Sequence, residues 1–248
     1  MSTSKHKYAN PPIQEAICEV HFSVKEPLSL DRIKEMQRQW RKDYPNQKIT
    51  EEKNIELQMG PDGMQVANHS LGHRLICRSS EGIRLVQLSG RFVAINQLRP
   101  YRGWEEEFRD TILARVIEVQ SSLGPFPIAR TGLRYINRIN VPKTPFVWDE
   151  WFNFSLPVPQ MEQSALEGFQ MHFERGLSDS RKLIVNCVAV PPLTPDTSSV
   201  ILDLDVVWQG EPAEPTQLKD LIERVHSPHR LAFEAYITDK LRETFSNR

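Results

Sequence analysis

The residues best placed to do chemistry lie in two polar-studded runs that otherwise read as strands. In the run Arg130–Asn140, a period of two puts Arg130, Arg134 and Arg138 on one face with Gly132, Ile136 and Asn140. Tyr135, Asn137 and Ile139 face the other way. In the second run, Asp203 and Asp205 share a face opposite Leu202, Leu204, Val206 and Trp208. A strand this apolar is expected to be central, so its two carboxylates need partners or water. Arginines on a neighbouring strand would supply them. Three chemistries stay open: a structural ion-pair lattice, a charged face that binds a ligand, or a carboxylate pair holding magnesium. The arginine stripe also suits phosphate, and Tyr135 could stack on a base. Three arginines are few for nucleic acid, however, and no nucleic-acid motif accompanies them. The candidate binding residues are therefore Arg134, Arg138, Asp203, Asp205 and Tyr135.

The other reactive residue types point less clearly. His69 and His73 have the i, i+4 interval of helical zinc sites, but Gly72 and a following strand argue against a helix. His226 and His229 flank Ser227-Pro228, and the pair reads as a helix junction. Cys18, Cys77 and Cys187 each lie in an alternating apolar run and read as small core residues in a reducing compartment. Cys187 has no basic neighbour to activate it. The nucleotide-binding motifs GxxxxGK[ST] and GxGxxG and the nucleophile motif GxSxG are missing. No catalytic residue, metal ligand or cofactor is expected on these grounds.

The elements that must position these residues alternate between strand and helix. Residues 1–12 read as a loose arm or an extended lead-in ending in Pro11-Pro12. Ala16, Cys18, Val20 and Phe22 mark a first strand, and Ser29 then caps a helix with the stripe Leu30, Ile33, Met36, Trp40 and Tyr44. Residues 48–98 form a strand meander whose separators include Gly60-Pro61-Asp62-Gly63 and Ser89-Gly90. A second helix runs from Trp104 to Gly124-Pro125, with Glu105, Glu106 and Glu107 in its first turn. The second half repeats the plan: a long strand Ile128–Val141, a short helix around Phe146–Phe154, and strands at 168–174, 181–190 and 200–208. Helical sequence then fills Gln217–Phe245, and Pro228 is expected to split it with Ser227 capping the second piece.

The stretch Tyr8–Phe22, the segment Gly132-Leu-Arg-Tyr-Ile-Asn-Arg-Ile139, the run Leu202-Asp-Leu-Asp-Val206 and the helix Phe233–Phe245 resemble a sporadically distributed prokaryotic family of uncharacterised proteins of about this length. The resemblance covers nearly the whole chain. It implies an accessory or defence-associated role and brings no catalytic residues with it.

The 248 residues carry 31 Lys+Arg against 32 Asp+Glu, a balance that excludes a strongly basic nucleic-acid binder overall. No apolar run is long enough to span a membrane, and the opening lacks the apolar core of a signal peptide, so a cytoplasmic location is expected. The expected fold is α+β, with antiparallel sheet and helices packed across it. It divides into an arm (1–12), a first half (13–124) and a second half (125–248). The element order resembles the TATA-binding-protein saddle or a helix-grip fold; a duplicated unit and a single sheet curled around the last helix both remain open. The functional expectation is a soluble, non-catalytic binding or interaction module, with a protein partner or a second copy of the chain as its counterpart. Two rivals stand beside it: a metal-dependent phosphoester enzyme using Asp203 and Asp205, with Arg134 as electrophile, and a nucleic-acid-binding saddle.

Overall fold

The computed structural model describes residues 7–60, 63–143, 147–155 and 168–246, with side chains described outside 53–71. One antiparallel sheet of nine strands forms the frame. Its strands are β1 (Ile13–Phe22), β2 (Asn46–Gly60), β3 (Gly63–Arg78), β4 (Arg84–Leu88), β5 (Phe92–Leu98), β6 (Ile128–Pro142), β7 (Gln170–Gly176), β8 (Arg181–Val190) and β9 (Thr197–Ala213). The spatial order is β2-β3-β4-β5-β1-β6-β9-β8-β7, so β1 and β6 meet near the middle and the two halves share one sheet. Ile55 and Leu57, which the sequence assigns to a strand, and the Gly60–Gly63 turn lie where side chains or backbone fall outside the described residues.

Alternation decides which face is buried. Ala16, Cys18, Val20 and Phe22 of β1 are buried, as are Leu133, Tyr135, Asn137 and Ile139 of β6 and Leu202, Leu204 and Val206 of β9. Three helices lie across that face: α1 (Leu30–Trp40) against β3, α2 (Arg109–Leu123) against β5, and α3 (Leu218–Tyr236) against β6 and β9. Ser29 caps α1 through its hydroxyl, which accepts from the Arg32 N–H, and Ile33, Met36 and Trp40 form the buried stripe. Trp40 also donates its indole N–H to Glu118 on α2 at 2.7 Å, tying two helices together. The opposite face of the sheet has no helix over it among the described residues, and it mixes polar side chains such as Glu19, Arg134 and Asp205 with apolar ones such as Ile17, Ile136 and Ile201.

Three local expectations are corrected. The helix starting at Trp104 opens with a π-helical turn, Trp104–Phe108, in which the Phe108 N–H reaches back to the Gly103 carbonyl at 3.1 Å. Gly103 adopts φ 119°, and a Cβ there would collide with the Glu106 carboxylate, so the turn requires glycine. Around Phe146–Phe154 only a single 3₁₀ turn forms, Trp148–Glu150, with Phe146 outside the described residues. Phe152 is instead extended and bridges to Ile237, because so short a helix cannot recover its nucleation cost.

The third correction concerns the C-terminal helices. Pro228 does not split them; it lies inside α3. A proline removes the N–H that would bond the carbonyl four residues earlier, here that of Arg224. That carbonyl accepts instead from the Arg181 guanidinium at 3.1 Å. The break comes at Ile237, whose backbone is extended, and Thr238 then caps α4 (Asp239–Ser246) by accepting from the Leu241 N–H. Arg181 is therefore a structural strut.

Candidate functional site

The uncovered face of the sheet carries four of the five sequence-nominated residues. Arg134 grips Asp203 bidentately, Nε to Oδ1 at 2.8 Å and Nη2 to Oδ2 at 2.7 Å. Arg134 stands directly opposite Asp205 in the β6–β9 register, so this grip is diagonal, one row away. Asn186 on β8 also donates to Asp203 Oδ2, at 3.2 Å. The Asp203 carboxylate is thus fully engaged while its side chain is only 6% exposed. Arg138 does not join the pair; its guanidinium bonds the Pro191 carbonyl. Asp205 has no side-chain partner among the described residues, and burial pushes its carboxyl up to about 6 despite the pull of Arg130 and Arg134. Next to it, Arg130 bonds Glu19 at 3.0 Å and lies 2.9 Å from His21 Nε2, while the hydrogen bond from His21 and then Arg130 hold Glu19 down to about 2. Every arginine of the stripe is therefore committed inside the protein.

Tyr135 lies through the sheet from this lattice, on the helix-covered face, and there it helps line a cleft of about 510 Å³. The floor comes from β6, through Tyr135 and Asn137. One wall is the segment Tyr101–Glu106, and the other is the flank of α3 that carries Glu223, His226, Ser227, Arg230 and Glu234. These α3 residues recur at intervals of three and four, the spacing that aligns them along one helical flank. The adjacent flank, Leu218, Leu221, Ile222, Val225 and His229, packs down on the sheet. Pro228 leaves this alignment intact because Arg181 takes its missing partner's place.

The cleft combines aromatic rings and uncharged imidazoles with charged groups of both signs, Lys7, Arg102 and Arg230 against Glu105, Glu106, Glu223 and Glu234. The His226 ring stacks on Trp104 with centroids 4.0 Å apart and planes within 8°. Burial, then the neighbouring His229 and Arg230, depress the His226 imidazole to about 3, so it is uncharged at neutral pH. His229 is held down to about 4 by burial, and its Nε2 donates to the Leu204 carbonyl at 3.0 Å. That bond fixes the tautomer and leaves Nδ1 as a bare acceptor. The hydroxyls of Tyr101 and Tyr135 lie 2.9 Å apart. Two phenolic protons share that single bond, so one proton has no acceptor among the described residues. Burial raises both phenols, which keeps them protonated.

The N-terminal arm, read from the sequence as a loose arm or an extended lead-in, crosses the mouth of this cleft from residue 7 onward. Lys7 pairs with Glu106 on one wall, and the Tyr8 hydroxyl donates to Glu234 on the other at 2.7 Å. The Tyr8 ring packs edge-on against Phe233 and Phe245, and the Asn10 N–H bonds the Phe245 carbonyl.

Metal and thiol chemistry find less to build on. Among the described residues no three carboxylate, imidazole or thiol side chains gather as a metal site. The His69 side chain lies outside the described residues. The three cysteines are free and buried, and burial raises Cys77 and Cys187 to about 12 and moves Cys18 in the same direction. Sequence reasoning passed over the cleft because four separate segments build it. The available signal was Asn137, a fully buried amide on an otherwise apolar strand face. It donates to the Tyr135 and Leu202 carbonyls. Among the described residues, no helix is long and apolar enough to cross a membrane. No protein-family profile matches the chain, and no curated protein is significantly similar to it.

Proposed function

We propose that the protein is a non-catalytic binding module whose ligand seat is the cleft between α3 and the Tyr101–Glu106 segment. The observation that carries this reading is a ligand-sized, aromatic-walled hollow with a few convergent polar groups, the usual make-up of a small-molecule site. The protonation states favour binding over acid–base chemistry. Two imidazoles stay neutral and two phenols stay protonated, so none is poised near neutral pH to exchange a proton. The phosphoester reading of Asp203 and Asp205 is weaker, because magnesium would have to displace Arg134 and Asn186 from Asp203. The mirrored outward order β5-β4-β3 from β1 and β9-β8-β7 from β6 supports reading the two halves as copies of one unit. We likewise read the chain as a member of the sporadically distributed family it resembles, with an accessory role.

The test is a panel of planar aromatic fragments followed by ligand-detected NMR, with the wild type compared to a Ser227→Trp variant. Ser227 is exposed on the cleft wall, so the indole fills the hollow while stability shifts by no more than about 0.5 kcal/mol. Saturation transfer to fragments that disappears in the variant supports the reading. Fragments that bind equally to both proteins, or to neither, overturn it.

A further inference from the structure

The charges on the cleft wall narrow the ligand class beyond "planar and aromatic". Of the three cations lining the cleft, two are already used: Lys7 pairs with Glu106, and Arg102 lies 3.7 Å from Glu107. Arg230 has no carboxylate or carbonyl partner among the described residues and is half-buried, with its guanidinium left for an incoming anion. Glu223 is the complementary case. Among the described residues its carboxylate makes close contact with two neutral groups, the Trp104 indole N–H at 3.3 Å and the His226 ring at 3.6 Å, with Arg109 acting on it from further away. It therefore keeps acceptor capacity for a donor on the ligand. Glu234, by contrast, is neutralised by Arg242.

Glu223 and Arg230 are seven residues apart on α3, two turns on the same flank, or about 10 Å along the axis. Between them lies the Ser227 hydroxyl, exposed and without a hydrogen-bond partner among the described residues. The wall thus presents, in order, an acceptor beside a flat Trp104–His226 stack, a small hydroxyl, and a free guanidinium. Beside this wall lie the spare phenolic proton of the Tyr101–Tyr135 pair and, on the sheet-facing flank of α3, the His229 Nδ1, which has no partner among the described residues. An amino-bearing heterocycle at one end and a phosphate at the other, joined by a sugar, matches that sequence of groups.

Resting on the cleft being the ligand seat, we propose that it accepts a nucleoside monophosphate. The exocyclic amine of the base faces Glu223, the ribose passes Ser227 and the 5′-phosphate meets Arg230. The arrangement asks for one phosphate, because Arg230 is the single uncommitted cation among the described lining residues.

The probes are AMP, IMP and adenosine, titrated calorimetrically at low salt into the wild type, Arg230→Gln and Glu223→Gln. Both substituted side chains are half-buried on the helix surface, and Arg230 has no internal partner to lose, so the fold should persist. One charge-assisted contact corresponds to about a tenfold change in affinity. AMP is expected to bind about tenfold more tightly than adenosine, and Arg230→Gln should erase that preference while leaving adenosine unchanged. AMP should also surpass IMP in the wild type and equal it in Glu223→Gln. Equal affinities for AMP and adenosine in the wild type, or a phosphate preference that survives Arg230→Gln, overturn the proposal. If aromatic fragments occupy the cleft and AMP does not, the nucleotide assignment fails while the binding-module reading stands. If neither binds, both fall.

Discussion

Asp203 and Asp205 are two residues apart on one face of β9, yet replacing each by asparagine should move stability in opposite directions. Asp203 accepts two charge-assisted bonds from Arg134 and a third from Asn186. Such bonds contribute roughly 1.5–3 kcal/mol each when both partners are buried. Here the Arg134 side chain is 44% exposed and can rehydrate when released, so the full penalty of an orphaned buried charge does not apply. Asparagine also keeps one carbonyl acceptor. The expected loss for Asp203→Asn is about 2 kcal/mol. Asp205 is the reverse case, a carboxylate without a hydrogen-bond partner among the described residues, whose pKa rises from 3.8 unfolded to about 6 folded. A raised folded pKa means the native state holds the proton more tightly, so this group favours folding below about pH 4 and loses that advantage as pH rises through 6. At pH 7 the two-unit difference corresponds to at most about 3 kcal/mol against the folded state. Asp205→Asn should therefore stabilise the protein by about 1–3 kcal/mol at pH 7. By pH 4.5, where the native carboxyl is already protonated, the gain should shrink to about 1 kcal/mol or less. Urea melts of the wild type and both variants at the two pH values measure this directly. If both variants shift the midpoint the same way at pH 7, or if the Asp205→Asn gain does not depend on pH, the reading of this lattice is wrong.

The histidines of the cleft and the strut in α3 give two further predictions. His226 and His229 have folded pKa values depressed to about 3 and 4, so the stability they contribute is intact above the unfolded value of 6.5 and is lost as pH falls below it. Between pH 7 and 5 this amounts to about 3–4 kcal/mol, partly offset by Asp205. The C2–H resonances of both rings should stay flat down to pH 5, and a midpoint near 6.5 for either would refute the burial argument. For α3, Arg181→Ala should cost about 1–2 kcal/mol in the wild type, because the Arg224 carbonyl loses its partner. In a Pro228→Ala background the restored backbone N–H takes that carbonyl, so a double-mutant cycle by urea melts should show a coupling of at least about 0.5 kcal/mol, and none if the strut is incidental.

What could be read in the sequence was local. Period-two runs located β1, β6, β8 and β9 because one side of each is apolar and the other polar, and nothing distant can reverse that pattern. Ser29 was legible as a cap for the same reason: its partner is three residues away. Pro228 shows where local reading stops. Its expected effect was a break, and what cancels that break is Arg181, a residue on another element that reaches the exposed carbonyl. The two aspartates make the same point in electrostatic form. Identical residues in near-identical strand context meet different partners, because a diagonal arginine grips Asp203 while burial pushes the Asp205 carboxyl up.

The site residues divide along the same line. Arg134 and Tyr135 are consecutive, and a list of chemically capable residues naturally groups them. The pleat separates them: every strand residue faces opposite to its neighbour, so Arg134 enters the ion-pair lattice while Tyr135 crosses to the helix side. Once there, its function depends on partners that are remote in sequence. Tyr101 shares its hydroxyl bond, and the His229 ring lies 4.4 Å away. The arginine stripe drew attention because charge is conspicuous in a sequence, yet each of its guanidinium groups is anchored within the protein, although the buried Arg138 Nε finds no partner among the described residues. In the cleft, the groups without a partner among the described residues are less conspicuous ones: a phenolic proton, an imidazole nitrogen and Arg230. Unmet hydrogen-bonding capacity in a ligand-sized hollow is a better pointer to binding than charge density. It becomes visible only when the fold brings the N-terminal arm, the π-helical turn, β6 and α3 to one place.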